Sequence, residues 1–418
     1  MREITGKISK YIENNKWILL VSLVFIIWKF FLVSIILGGE MMKTSDALIY
    51  ISHIDSINKC SHIIFCNDFL TSLTRYTGFE HLSYRLFFGS IGHLLKMSSL
   101  NVFHLSFYIG ILILVPSLIF FLKNIETDKK LIAFLLFFFA LYNGGGYHGF
   151  WWVVPSFFAT LLIFIIFAII LGNYRHWKMI LLILIPIGLY THTIFLYLMV
   201  PIVFFYIIYS FFLKKIDIVM LKKVVFSIFI LIVFYVPISY YLENNPYGPE
   251  TFFNKKNINL NAQSIEKNNL LQVKQGHFLF EKLFPGFRDI KGIYFDWIFF
   301  NPVFVIIFVY IIFILFYYKQ YKILSVYLAS LIFALLSSIN VNAERSLIFT
   351  WPITYLLYAY GIWFSFKLNN ELFKNRFANT TVKTFLFLGI VIFATVNIIY
   401  SYGMNKELIF SVQKFLNV

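Results

Sequence analysis

Long apolar runs separated by short polar links extend along almost the whole chain. The first run, residues 17–37, is interrupted only by Lys29. About 20 apolar residues in a helix cross the roughly 30 Å hydrocarbon core of a bilayer. The pattern therefore predicts an all-α, polytopic integral membrane protein in which residues 1–418 form a single membrane domain. It predicts about eleven transmembrane helices, at residues 17–37, 101–122, 131–142, 150–171, 179–191, 194–213, 224–242, 298–318, 323–340, 346–366 and 384–402.

Composition excludes a soluble globular protein. Of the 418 residues, 60% are hydrophobic and 13% are charged, whereas about a quarter of the residues of a soluble domain are charged. An excess of 35 Lys and Arg over 19 Asp and Glu would suggest nucleic-acid binding in a soluble protein. In a membrane protein the same excess marks the cytoplasmic loops. We therefore expect a multi-pass protein of a bacterial cytoplasmic membrane that contacts membrane lipid and no nucleic acid.

The distribution of basic residues predicts the topology. Basic residues precede the first run, which no small-residue cleavage site follows, so the N-terminus is expected inside. Residues 82–95 are interpreted as an amphipathic interfacial helix, because a span there would place the basic segment 123–130 outside. With this assignment the short inside links are denser in Lys and Arg than the outside segments. Both long loops, residues 38–100 with juxtamembrane helices and residues 243–297, then face outward.

Two of the predicted spans are too short to cross the bilayer fully. Residues 131–142 and 179–191 both begin beside cytoplasmic lysines and should therefore end below the outer surface. The polar links that follow contain His148 and His192. Irregular backbone at membrane depth requires neighbouring protein or a water-filled cavity. We infer a recess open to the outer face, in which these histidines bind substrate, ligate a metal or have a structural role.

The first outer loop supplies the candidate catalytic residue. Asp46 follows the first predicted helix and Tyr50 lies four residues later, which places both on one face of a short helix. Asp46 could accept a proton from an attacking hydroxyl or hold a divalent metal, and Tyr50 could bind substrate. The alternative is that Asp46 is a helix N-cap or a solvated acid. Cys60 and Cys66 in the same loop could form a disulfide.

Arginines near the outer face are candidates for binding phosphate. Arg345 follows Glu344 at the outer start of the tenth predicted span, and its planar guanidinium matches phosphate geometry. The alternative is a mutual salt bridge with Glu344, which is itself a second candidate for substrate binding. Arg288 ends an amphipathic segment of loop 243–297, which either orders over an extended lipid-linked ligand or only caps the bundle.

This layout resembles the GT-C class of membrane glycosyltransferases. The residues that carry the resemblance are Thr44-Ser45-Asp46-Ala47-Leu48-Ile49-Tyr50, Tyr190-Thr191-His192-Thr193 and Ala343-Glu344-Arg345-Ser346-Leu347. The resemblance implies a polyprenyl-phosphate sugar donor, a glycan, lipid or cell-envelope acceptor on the outer face, and inverting transfer with Asp46 as base. Asp46 is followed by Ala47 instead of a second acid, so a divalent metal cofactor is left open, with Asp55 or Asp68 as its other candidate ligand.

Two alternatives remain. The stretch Glu80-His81-Leu82-Ser83-Tyr84-Arg85-Leu86 is similar to surface-polysaccharide polymerases of the O-antigen or exopolysaccharide type, which use polyprenyl-diphosphate repeat units. Such polymerases tend to use several loop arginines, and the outer loops here contain only four. The other alternative is a flippase or transporter of a lipid-linked solute. Matched, interrupted halves are typical of transporters, and the sequence contains none.

Overall fold

The computed structural model describes residues 2–37, 45–58, 81–141, 155–192, 194–244, 302–337, 347–372, 380, 383–384 and 388. Within these residues the chain forms helices and turns and contains no strand. The helices of the described part are α1 Arg2–Leu37, α2 Ser45–Asn58, α3 Leu82–Leu95, α4 Ser99–Ile125, α5 Lys129–Leu141, α6 Pro155–Leu171, α7 Trp177–Thr191, α8 Ile194–Leu198, α9 Val200–Leu213, α10 Ile218–Asn244, α11 Pro302–Tyr317, α12 Tyr321–Ser337 and α13 Leu347–Leu372.

The helices follow the apolar runs of the sequence. Each predicted run from 17–37 to 346–366 coincides with one helix or, for 194–213, with α8 and α9 together. Of the last run, 384–402, only residues 384 and 388 are described. Helical structure and the apolar character of these segments confirm the prediction of an all-α membrane protein. Among the described residues, the helical segments long and apolar enough to cross a bilayer are Ile12–Phe31, Ser99–Ile125, Ile194–Leu213 and Ile218–Val236.

The outer faces of these helices are apolar, as contact with lipid requires. On α1, Leu20, Leu23 and Ile27 are 53%, 56% and 60% exposed, whereas Phe25 is fully buried against the bundle. A continuous apolar surface of this kind would promote aggregation in water. In a bilayer the hydrocarbon chains cover it, so the same residues can face outward without cost.

Helix α6 lies at the centre of the bundle. Its contacts are with α4, α7, α8, α10 and α13. A helix that is hydrophobic on all sides is either buried within protein or faces lipid, and α6 is buried within the bundle, because most of its side chains are inaccessible. The ring of Phe167 packs 5.6 Å from that of Phe205 and 5.8 Å from that of Phe349. Pro155 begins the helix, where its missing N–H leaves no intrahelical bond unmade.

Several of the segments that connect consecutive helices lie at one end of the bundle, which we call the basic end, and hydrogen bonds hold them together. The side chains of Asn124 and Tyr174 bond each other at 2.8 Å, and Lys322 Nζ donates to the Asn124 carbonyl oxygen at 3.0 Å. Lys223 on α10 binds the last carbonyls of α6. Tyr318 donates to Glu371 at 2.8 Å. The links 126–128, 172–176, 214–217 and 318–320 therefore lie together, and they belong to the segments that the charge pattern assigns to the cytoplasm.

Helices α2, α3 and the start of α4 pack together at the opposite end, which we call the histidine end. Helix α3 folds back along α4, because the Tyr84 hydroxyl donates to Ser106 Oγ at 3.1 Å. Helix α2 is held to this hairpin by Asn58 Nδ2, which donates to the Met97 carbonyl at 2.7 Å, and by Asp55, which accepts from Ser99 Oγ at 2.7 Å. The N-terminal end of α3 consequently lies beside the last turn of α7.

Candidate active site

A cluster of aromatic and imidazole rings lies where α2, α3 and α7 meet. The histidine cluster consists of Tyr50, His53, His81 and His192. The ring centroid of His81 is 4.9 Å from that of His192, 5.5 Å from that of Tyr50 and 5.8 Å from that of His53. Residues distant in the sequence thus pack into one group of rings at the histidine end.

Helix α2 contributes two members of the cluster on one face. Tyr50 and His53 are separated by three residues, a spacing that aligns side chains on a helix. Close packing with α3 sets the position of α2, because a Cβ added at Gly89 would lie 2.4 Å from the Cβ of Ile57. The absence of a side chain at Gly89 is therefore what allows α2 to approach α3 closely enough for Tyr50 and His53 to reach His81.

His81 is held in an unusual backbone conformation. Its φ of 62° lies in the left-handed region, which non-glycine residues rarely adopt. Its carbonyl accepts the N–H of Arg85 at 2.8 Å, and its ring Nδ1 bonds the carbonyl oxygen of Thr191 at 3.1 Å. These bonds compensate for the backbone strain. They also join the start of α3 to the end of α7.

His192 shapes the turn between α7 and α8. Its N–H donates to the carbonyl of Gly188 at 3.2 Å, which ends α7, and its Nδ1 accepts the N–H of Ile194 at 3.0 Å, which begins α8. The ring of Phe195 packs so closely on Gly188 that an added Cβ would lie 2.3 Å from it. Two nitrogens of His192, the main-chain nitrogen and Nδ1 of the ring, thus fix the turn through hydrogen bonds to the backbone.

Arg85 places a positive charge beside the cluster. Its side chain is almost fully buried on α3, one turn after His81. Burial, together with the charges of Arg85 and His81, lowers the pKa of His53 to about 3. His53 is therefore neutral at physiological pH. Burial also raises the pKa of Tyr84, so its hydroxyl remains the donor to Ser106.

The structure brings together two of the residues expected to bind substrate. Tyr50 and His192 both contact His81. The backbone of Asp46 lies on α2 one turn before Tyr50, while its side chain lies outside the description. The remaining candidates fall in segments that the description does not cover, and they are His148, Arg288, Glu344 and Arg345, together with Cys60 and Cys66.

His53, His81 and Arg85 were not predicted to belong to this site. His81 and Arg85 are separated by four residues, which is a helical spacing. In the sequence that stretch indicates only the similarity to polymerases. No periodicity in the sequence indicates that residue 81 meets residue 192, because the contact depends on how α3 folds back along α4.

Among the residues described, no group of three His, Cys, Asp or Glu side chains is arranged to hold a metal ion. A concave region lies at the basic end, with a volume of about 600 Å³. Its wall combines acidic, basic and aromatic side chains, among them Glu126, Asp128, Lys367 and Trp363. No family model and no curated protein matches this chain.

Proposed function

We propose that this protein is an inverting membrane glycosyltransferase that moves a sugar from a polyprenyl-phosphate donor to a glycan, lipid or cell-envelope acceptor on the outer face of a bacterial cytoplasmic membrane. One observation carries the proposal. Helix α2, which begins one residue before Asp46, brings Tyr50 and His53 onto His81, whose ring packs on that of His192 at the end of α7. The carboxylate expected to act as base is thus on the helix that forms one wall of the histidine cluster.

The proposed reaction is an in-line displacement at the anomeric carbon. Asp46 takes the proton of the acceptor hydroxyl as the new carbon–oxygen bond forms and the bond to the donor phosphate breaks. Polyprenyl phosphate leaves as an anion and needs positive charge more than it needs a proton. The buried guanidinium of Arg85 provides such charge beside the cluster. Arg288 and Arg345 are the further candidates for this role, and a divalent metal on Asp46 remains a separate proposal.

The proposal includes the topology. The basic end is cytoplasmic, the N-terminus is inside, about eleven helices cross the bilayer, and the histidine cluster faces outward in the recess. The supporting observation is that the basic interhelical links gather at one end while the cluster lies at the other. The loop 243–297 then lies on the side of the cluster. Single cysteines placed at residues 127 and 247 should react with an impermeant maleimide from opposite sides of sealed vesicles.

The decisive experiment compares Asp46→Asn with Asp128→Asn in a transfer assay. Asp128→Asn at the basic end is the control, because it removes the same negative charge. Asn can still cap a helix, so this variant should keep its fold. Loss of a general base lowers rates by about 10²–10⁴-fold, and we expect that loss for Asp46→Asn alone. Near-normal transfer by Asp46→Asn would remove the mechanism from this residue. Addition of EDTA, followed by Mg²⁺ or Mn²⁺, tests metal dependence in the same assay.

A polysaccharide polymerase is the second candidate, and one observation favours it. The stretch similar to polymerases supplies His81 to the cluster and places the charge of Arg85 beside it. Mass spectrometry of lipid-linked saccharides from cells with and without the gene separates the two functions. Accumulation of a polyprenyl-monophosphate sugar supports the transferase. Accumulation of complete polyprenyl-diphosphate repeat units without long chains establishes the polymerase.

A further inference from the structure

The concave region at the basic end, which we call the basic-end cavity, has the dimensions of a ligand site. It is bounded by the links 126–128 and 318–320 and by the last turns of α13. Its volume of about 600 Å³ lies within the range of roughly 300–1,000 Å³ that is typical of small-ligand sites. Trp363 and Lys367 in its wall are residue types that mark the level of lipid headgroups at the ends of membrane helices.

The link between α4 and α5 supplies a carboxylate to the basic-end cavity. Glu126 lines the cavity, and its Oε1 accepts the N–H of Thr127 at 2.7 Å and that of Asp128 at 3.1 Å. These bonds fix the carboxylate on the link. A carboxylate can accept about four hydrogen bonds, so Glu126 retains the capacity to bind an N–H donor. Asp128 also lines the cavity, but its Oδ1 caps the start of α5, and we assign it to the fold.

Helix α13 supplies a positive charge to the same cavity. Nζ of Lys367 lies 4.8 Å from the ring centroid of Tyr318 and 5.9 Å from that of Phe364. The Tyr318 hydroxyl donates to Glu371, one turn after Lys367, at 2.8 Å. Attraction to ring faces holds an ammonium group without using its N–H donors. Lys367 can therefore donate to an anionic oxygen while it stays on these rings.

The apolar wall of the cavity continues onto the surface that faces lipid. Leu131, Phe134 and Phe366 contribute to this wall, and the ring of Phe134 packs 5.3 Å from that of Trp363. Three residues after Phe134, on the same face of α5, Phe137 is 41% exposed. A ligand with a polar head and hydrocarbon chains can therefore occupy the cavity and the bilayer at the same time.

We propose that the basic-end cavity binds the phosphoethanolamine headgroup of a phospholipid from the bilayer leaflet at that end. The ammonium group donates to Glu126, the phosphate accepts from Lys367, and the acyl chains follow Phe134 and Phe137 into the bilayer. Both charges of the headgroup are thereby matched by a group of opposite charge. This site is separate from the histidine cluster, and the inference does not depend on the proposed function.

The same groups discriminate against the other common headgroups. Phosphatidylglycerol carries a phosphate but no cation, so Glu126 repels it. Phosphatidylcholine carries a cation without N–H donors, so it makes no hydrogen bond to Glu126. A trimethylammonium group is bound well when several aromatic faces surround it. Here the rings of Phe134 and Trp363 pack on each other, and Lys367 lies over Tyr318 and Phe364.

The first test uses the wild-type protein alone. Native mass spectrometry in detergent measures binding of phosphatidylethanolamine, its N-methyl and N,N-dimethyl derivatives, phosphatidylcholine and phosphatidylglycerol, all with identical acyl chains. Affinity should fall with each added methyl group, and phosphatidylcholine and phosphatidylglycerol should bind about tenfold or more weakly, as loss of a charged hydrogen bond predicts. Equal affinities across the series would overturn the inference. If glycerophosphoethanolamine, which has no acyl chains, binds as tightly as the lipid, the ligand is soluble and the lipid assignment is wrong.

The second test locates the site with variants. Glu126→Gln keeps an oxygen that accepts from the backbone, so its Tm should stay near that of the wild type while its preference for phosphatidylethanolamine over phosphatidylcholine disappears. Lys367→Met should weaken both lipids by a similar factor, because both contain the phosphate. Asp217→Asn, in the link 214–217 and outside the cavity wall, is the control that retains the preference. A preference that persists in Glu126→Gln would place the lipid elsewhere, and the methylation series decides the headgroup even if a variant fails to fold.

Discussion

The two ends of the bundle use polar side chains for different purposes. At the basic end, charged groups complete helix termini: Lys223 binds the last carbonyls of α6, and Asp217 caps the start of α10. At the histidine end, His81 and His192 bind backbone groups through one ring nitrogen each. The first arrangement stabilises the fold. The second joins the end of α7 to the starts of α3 and α8 and so positions the cluster.

Among the variants that test this difference between the histidine end and the basic end, Gly89→Ala should have the largest effect. The new Cβ would lie 2.4 Å from the Cβ of Ile57 and would push α2 away from α3. Overpacking costs about 1–3 kcal/mol, and displacement of Tyr50 and His53 from His81 should lower transfer activity per folded molecule by tenfold or more. Thermal unfolding in detergent and the transfer assay measure the two effects.

Gly361→Ala is the matched control, since its Cβ would meet the Ile311 side chain at 2.5 Å, away from the cluster. It should lower stability by a similar amount and leave the activity of the folded fraction unchanged. Equal losses of specific activity in both variants would show that close packing of α2 on α3 has no special connection with the site.

A stability effect confined to the basic end is expected from Lys223→Met. Nζ of Lys223 donates to the carbonyls of Ile169 at 3.0 Å and Ile170 at 3.3 Å and to that of Gly172. Loss of a charged donor to buried carbonyls costs about 1.5–3 kcal/mol. The melting temperature should fall, while specific activity stays unchanged. Lys222→Met, at the exposed neighbouring position, should leave both values near those of the wild-type protein.

The helices could be predicted from the sequence, because a long apolar run in lipid can satisfy all its backbone hydrogen bonds by forming a helix. Two members of the cluster, Tyr50 and His192, were already candidates for substrate binding, from an i+4 spacing to Asp46 and from the short span before His192, and that role stays a prediction. His81 was not, since its contact with Thr191 joins residues 110 positions apart. By its sequence Lys223 is one of the basic residues between the apolar runs 194–213 and 224–242, whereas in the structure it is buried and binds the end of α6. Charge counts carry no information about which carbonyl a lysine reaches.

A smaller effect, specific to the histidine end, is expected from pH. The folded pKa of His53, about 3, lies below the value of about 6.5 for an unfolded histidine. Neutral His53 therefore contributes stability above pH 6.5 that is lost as the pH falls toward 3. One proton changes the free energy of unfolding by at most about 1.4 kcal/mol per pH unit.

His53→Asn should flatten the decline in melting temperature between pH 7 and pH 5. His176→Asn changes an exposed histidine of the basic-end link 172–176 and serves as the control that keeps the wild-type slope. If the two variants have the same slope, burial beside Arg85 is not the source of the acid sensitivity.

The smallest effect is expected from removal of a single hydroxyl at each end, Tyr84→Phe and Tyr174→Phe. Ser106 still donates to the Phe103 carbonyl at 2.7 Å when Tyr84 loses its hydroxyl, so the cost should stay below about 1 kcal/mol. In Tyr174→Phe, Asn124 Oδ1 loses the hydroxyl that donates to it at 3.0 Å. Leaving this partly buried acceptor without its hydrogen bond costs about 1–2 kcal/mol. Thermal unfolding should therefore rank Tyr174→Phe as more destabilising. The reverse order would mean that the histidine end depends on the Tyr84 hydrogen bond to hold α3 against α4, and that backbone bonds to histidine do not suffice to position the cluster.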